Sequence, residues 1–241
     1  MATRTRKTSK GRIAAILALL AMCGILLYQF GLFVMVLWLS IHNPDSSAFM
    51  RETLRQLRQS DPQAVIVHQW VPYERISDQL KRAVIASEDA NFIDHDGVEW
   101  DAIRKAWEYN LRQAEQGRSK LRGGSTITQQ LAKNLFLSGS RSYVRKGEEL
   151  ILTYMIEAVM SKQRILELYL NIAQWGTNVF GAQAAARHYF GRDASELGAS
   201  QAATLATMLP NPAYYDKHRN SRYLQSRSAT IVRRMRLVEI P

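Results

Sequence analysis

From Ile13 to Ser40 the chain runs for 28 residues without one charged side chain. A helix needs about 20 mostly apolar residues to cross the hydrocarbon core of a bilayer, so this run is long enough to span a membrane. Arg4, Arg6, Lys7, Lys10 and Arg12 precede it with no acid among them, and cations beside a span tend to stay on the cytoplasmic side. The sequence thus predicts a cytoplasmic basic tail over 1–12, a transmembrane anchor over 13–40 and an extracytoplasmic domain over 41–241. That makes a single-pass membrane protein with its N-terminus in the cytoplasm and its main domain outside. A cleaved signal peptide is the rival reading, but its apolar core is only about 7–15 residues long and no small-x-small cleavage site follows here.

The single cysteine, Cys23, lies inside the apolar run. The outer domain has no disulfide even in an oxidising compartment, and packing must hold it together. Its length suits one domain with a sizeable core. The N-terminal tail supplies five of the net +11 charges, leaving a basic surface suited to anionic headgroups or phosphates; the compartment disfavours nucleic acid.

Most of the outer segments repeat their apolar residues at helical spacing, so the domain is expected to be mainly α. Ala64 to Val71 (AVIVHQWV) is short and β-branched and reads as a strand. Ser77 can cap a helix through Leu80 and Val84 that delivers Glu88 and Asp89 to its end. Arg112 to Gly124 reads as a solvated, mobile connection. Thr126 and Gln129 have capping-box spacing, and Ile127, Leu131 and Leu135 form a stripe to be buried, leaving Gln129 and Lys133 pointing away from the core. Val144 toward Met160 is apolar nearly all round and reads as a largely buried helix, with Arg145, Lys146 and Glu149 in its first turns. Lys162 to Asn171 is a further amphipathic segment, and a later helix stops at Pro210.

Two stretches carry unusual polar residues. Glu88-Asp89-Ala90-Asn91-Phe92-Ile93-Asp94-His95-Asp96-Gly97 has the pattern EDxxFxxHxG; Gly123 to Asn134 (GGSTITQQLAKN), Arg145-Lys146 with Glu149, and Lys162 to Asn171 follow in order. Together they resemble the motifs of the peptidoglycan glycosyltransferase (transglycosylase) family, which is also found as the glycosyltransferase domain of class A penicillin-binding proteins. The resemblance covers about Trp70 to Pro212. It implies a lysozyme-like helical domain that polymerises lipid II with inversion into β-1,4-linked glycan strands, releasing polyprenyl diphosphate. Only 29 residues follow Pro212, so polymerisation without transpeptidation is expected.

Carried over residue by residue, the resemblance makes Glu88 the general base and Glu149 a second essential glutamate near the leaving diphosphate. Lys133 and Arg141 match its phosphate-contacting cations, joined by Arg145 and Lys146. Ser125, Gln129 and Gln130 match groups lining the donor side of the cleft, and Asp89, Phe92 and His95 match positions beside the base. No cofactor is required by these motifs; a divalent cation, Mg or Mn, at the diphosphate is the candidate they leave open, with its ligands unknown. The implied partners are lipid II, the growing glycan chain, membrane lipids, and proteins of cell-wall synthesis or division.

Each motif residue has a plainer reading. Glu88-Asp89 alone is a solvated helix end. Arg145 and Glu149 form an i,i+4 pair in the less favourable order, worth only about 0.2–0.5 kcal/mol. Asp94, His95 and Asp96 suggest a hydrogen-bonded loop histidine before they suggest a metal site. Gly123-Gly124 is a phosphate cradle or a hinge. The basic run from Lys217 to Arg236, with seven Lys or Arg, is a solvated face or a membrane contact. At the level of the whole chain, the rivals are a lytic glycosidase on the same polymer, which would use its glutamate as an acid, and a non-catalytic membrane scaffold.

Overall fold

The computed structural model describes residues 9–118, 123–137 and 142–241, in two units, Met1–His42 and Asn43–Pro241. The first unit is one helix, α1 (Ser9–Leu39), which reaches a mean hydropathy of 2.3 and is long and apolar enough to cross a membrane. Its last turn is closed by polar groups: Ser40 Oγ donates to the Leu37 carbonyl at 2.7 Å, and the His42 ring lies against the Trp38 ring. The carbonyls that a helix end leaves free are thereby partly satisfied.

In the second unit, α2 (Ala48–Leu57) leads to strand β1 (Val67–His68), then α3 (Asp78–Glu88), α4 (Trp100–Glu115), α5 (Ile127–Phe136), α6 (Tyr143–Val159) and α7 (Lys162–Ile172). Strand β2 (Val179–Phe180) precedes α8 (Ala182–Phe190), α9 (Ala199–Met208), α10 (Pro212–Lys217) and α11 (Arg222–Arg234). The chain is mainly α, as its periodicity requires. The expected strand over Ala64 to Val71 shrinks to two residues, paired in parallel with β2. Asn171 of α7 explains where it stops: its Oδ1 accepts from Val71 N and its Nδ2 donates to Val71 O, each at 2.9 Å. A buried amide thus takes over the backbone groups that a longer strand would have paired.

Two helix groups set up the site. Ser77 caps α3, accepting from Gln79 N at 3.1 Å, and the helix buries Leu80, Ala83, Val84 and Ile85 against α9 and α11. On α9 the facing positions include Ala202, Ala203 and Ala206; small side chains let helices pack closely. In the second group α5 packs on α6 and α7, burying the Ile127, Leu131 and Leu135 stripe.

Three expectations need correction. Gln129 does not point away from the core: it is buried, with its Oε1 accepting from Thr126 N at 3.1 Å and Thr126 Oγ1 accepting from Gln129 N. A capping box folds its third residue back over the helix start, so that outcome is inherent in the motif. Helix α6 is not largely buried. Glu149, Leu152, Thr153 and Ile156 face inward along one stripe, while Tyr143 and Val144 are 99% and 81% exposed and Ile151 and Tyr154 also face outward. It packs on α5 and α7 only along that stripe. Finally, Arg112 to Glu115 belong to α4 rather than to a connection.

Candidate functional site

Glu88 stands in the last turn of α3, where the chain leaves the helix beside a cavity of about 390 Å³. Gln130 of α5 donates from Nε2 to Glu88 Oε2 at 2.9 Å, and Ser87 Oγ donates to Oε1 at 3.4 Å. Burial raises the Glu88 pKa above the usual carboxylate range; the two hydrogen bonds and the charge of Arg227 oppose the rise, and Asp89 adds to it. The carboxylate is therefore held in place but poorly hydrated, which favours taking up a proton.

Asp89 is different. Its side chain is 1% exposed, and both oxygens are occupied: Oδ1 accepts from His95 Nε2 at 2.8 Å and Oδ2 from the backbone N–H of Ile127 at 2.9 Å. Ile127 opens α5, so Asp89 pins the end of α3 to a helix N-terminus, where a negative charge is favoured. It acts as a hub in the cavity wall, tying the end of α3 to the start of α5. Removing it in Asp89→Ala strands two buried donors and is expected to cost about 2–5 kcal/mol, measured by denaturant unfolding in detergent; a change below 0.5 kcal/mol, about the ordinary effect of a surface substitution, would contradict the hub.

His95 and Phe92 form the wall behind Asp89. In its neutral form the imidazole carries its proton on Nε2, toward Asp89, and accepts from Gly97 N at Nδ1 (3.1 Å). Burial opposes a charge on the ring, but the hydrogen bond and charge of Asp89 outweigh it, so His95 titrates above its usual value. The partner of this loop histidine is Asp89, not Asp94 or Asp96. Lys162 donates to the His95 carbonyl at 2.5 Å and to Glu157 at 2.9 Å, and its ammonium lies 4.8 Å from the Phe92 ring centroid. Gly97 has φ +82°, and a Cβ there would come within 2.6 Å of Glu157 and 2.7 Å of Thr153. Only glycine fits at this position of the motif.

A second cluster lies farther along α5 and on α6. Arg145 donates to Glu149 Oε2 at 2.9 Å and Lys146 donates to Glu149 Oε1. The i,i+4 pair does form, but around a buried Glu149. Lys133 completes the group. Burial lowers its pKa, Glu149 and Glu88 raise it, and Arg145 and Lys146 lower it. Three cations thus surround one carboxylate, leaving a surplus of positive charge, and Arg145 Nε is buried with no partner among the described residues. An unpaired buried donor is costly unless a ligand meets it. Arg141 lies outside the described residues.

The cavity beside Glu88 is also lined by Asn91, Glu99, Lys105, Ser125, Arg227 and Arg234. Ser125 was anticipated there. Lys105, Arg227 and Arg234 were not: Lys105 carries no local signal, and the two arginines were absorbed into a basic run read as a solvated face. Gly124 lies where a Cβ would come within 3.0 Å of Ile103 Cα, so it permits α4 to approach; Gly123 meets nothing. Among the described residues no three His, Cys, Asp or Glu side chains gather to hold a metal ion, so the candidate Mg or Mn has no protein-built cage there.

A basic, half-buried cleft with one poised carboxylate can deprotonate a hydroxyl while stabilising a departing anion. Comparison with known proteins identifies the family. A family model described as transglycosylase matches residues 54–236. The chain is 65% identical over 236 residues to a biosynthetic peptidoglycan transglycosylase of Bordetella pertussis, covering 98% of each. It is 65% identical over 240 residues to the protein of that name in Bordetella avium, covering 100% of this chain and 99% of the relative. With the one in Herminiimonas arsenicoxydans it shares 56% identity over 217 residues, covering 90% and 92%.

Proposed function

This chain belongs to the transglycosylase family, and from that membership we propose the division of labour within its site. The chain is a peptidoglycan glycosyltransferase that polymerises glycan strands, and its family implies lipid II as the substrate. Glu88 takes the proton from the 4-hydroxyl of an incoming lipid II. The new glycosidic bond forms as the bond from the donor's anomeric carbon to its diphosphate breaks, with inversion. Lys133, Arg145 and Lys146 balance the charge that accumulates on the leaving polyprenyl diphosphate, with Glu149 fixing the last two cations. Lys105, Arg227 and Arg234 meet the diphosphate of the incoming lipid II, on the cavity side.

One observation carries this reading. The residue that holds the base shares a helix with the first cation: Gln130, which donates to Glu88 of α3, and Lys133 stand three residues apart on α5 and so on one face. A hydrolytic glutamate would have no use for the cluster around Glu149. Incubating the purified full chain with labelled lipid II tests it. Polymer accumulation with release of polyprenyl diphosphate supports the reading, and cleavage of preformed glycan without polymerisation would replace it with the lytic one.

The anchor follows from α1, and the orientation is proposed from charge: the cations before Ile13 face the cytoplasm and the catalytic unit is periplasmic. A C-terminal alkaline phosphatase fusion is expected to be active and a C-terminal fluorescent fusion of the cytoplasm-only kind dark. The opposite pattern would reverse the topology. Proteins of cell-wall synthesis or division are proposed as partners on the same grounds of compartment and activity, and co-purification after crosslinking in membranes tests that; recovery of the chain alone would count against it.

A further inference from the structure

We propose that Tyr169 is a positioning residue for the base: its hydroxyl holds the Gln130 amide so that the amide NH₂ is directed into the Glu88 carboxylate. The inference rests on Glu88 being the base. Three helices meet here. Tyr169, on α7, is 1% exposed and donates its O–H to Gln130 Oε1 at 3.0 Å; Gln130, on α5, donates Nε2–H to Glu88 Oε2, on α3, at 2.9 Å. A buried tyrosine hydroxyl has to find a partner, and burial raises the Tyr169 pKa well above its usual value, so the hydroxyl keeps its proton and stays a donor.

The amide has two orientations. In the one observed, both hydrogen bonds run the same way, from phenol through amide to carboxylate, and each polarises the next. In the reversed one, the amide oxygen faces an ionised carboxylate and the phenol loses its acceptor. Without the hydroxyl, the preference of Gln130 for the productive orientation falls and the base loses part of its fixed donor. α7 is suited to hold the phenol still: Leu166, Leu168, Leu170 and Ile172 around it are buried, and Asn171 ties the helix to Val71.

A double-mutant cycle on the full chain with lipid II in detergent tests this, with Glu88→Gln as the reference. Gln130→Ala is expected to lower kcat about 10- to 100-fold and Tyr169→Phe about 3- to 10-fold. The double variant should fall no further than Gln130→Ala alone, because Tyr169 acts through that amide. KM for lipid II should change little. A merely structural role for Tyr169 reduces the active fraction in both backgrounds alike and makes the two effects multiply; that result overturns the proposal. The acid limb of the kcat profile is a second readout. The charged and titratable groups around Glu88 are Asp89 at its own helix end, Glu99 and Lys105 in the cavity wall, Lys133 of α5, Arg227 and Arg234 of α11, and the Tyr169 phenol; all but the phenol are unchanged in Tyr169→Phe, so the limb should move to higher pH, and an unmoved limb also counts against it. If Glu88→Gln itself retains turnover, the base assignment falls instead, whatever the cycle gives.

Discussion

Replacing Glu88 by Gln is expected to yield a folded protein that no longer polymerises lipid II at a useful rate. General-base catalysis contributes about 10²–10⁴ in rate, so kcat should drop at least about 100-fold, whereas an amide of nearly the same shape preserves packing at the end of α3. Stability should be unchanged or higher. The Glu88 pKa is raised by burial in the folded chain, so the folded state binds its proton more tightly than the unfolded state does. That contribution to stability is complete below the unfolded pKa and is lost as pH rises through the folded one. Above that folded pKa the wild-type chain holds a destabilising buried carboxylate that Glu88→Gln removes. Activity follows the opposite course, falling as pH drops through the raised pKa and the base becomes protonated. Polymer formation on gels and thermal melting of both proteins check the pair of expectations. Near-wild-type turnover would sink the assignment.

Much of the scaffold behind that base is written locally in the sequence. Ser77 with the Leu80 and Val84 spacing specifies α3 and brings Glu88 to its end, and Thr126 with Gln129 specifies the start of α5. Each signal spans a few residues and rests on helix geometry alone. What local pattern could not convey depends on which elements meet. The apolar residues of α6 are real, but only the stripe from Glu149 to Ile156 has neighbours to bury it, so Tyr143 and Val144 stay exposed. Asp89 matches a position beside the base, but its tie to His95 and to the start of α5 through both oxygens depends on residues that no local pattern relates. Arg227 and Arg234 sit more than 130 residues from Glu88 in the chain, and only the packing of α11 on α3 and α9 brings them to the cavity. Tyr169 was hidden for the opposite reason: within a buried helix it looks like core, and its hydroxyl acquires meaning only from Gln130 on a neighbouring helix.

Lys133→Met is expected to lower kcat about 10²–10³-fold while leaving the affinity for incoming lipid II nearly intact. The thioether keeps the length and apolar contacts of the lysine stem, so the change removes charge more than volume. Burial already depresses the Lys133 pKa, against the pull of Glu149 and Glu88, so in the free enzyme the ammonium is under-compensated. An arriving anion relieves that cost most when its charge is greatest, which is in the transition state as diphosphate departs. An interaction that strengthens along the reaction raises kcat rather than lowering KM, and removing one preorganised donor of this kind typically costs about 10²–10³ in rate. Arg227→Ala provides the contrast. Arg227 lines the cavity proposed to take the incoming substrate, so its loss should raise KM for lipid II more than it lowers kcat. Steady-state kinetics of both variants in the same detergent separate the two roles. If Lys133→Met instead raises KM alone, or if the two variants behave identically, the two cation groups do not serve donor and acceptor separately.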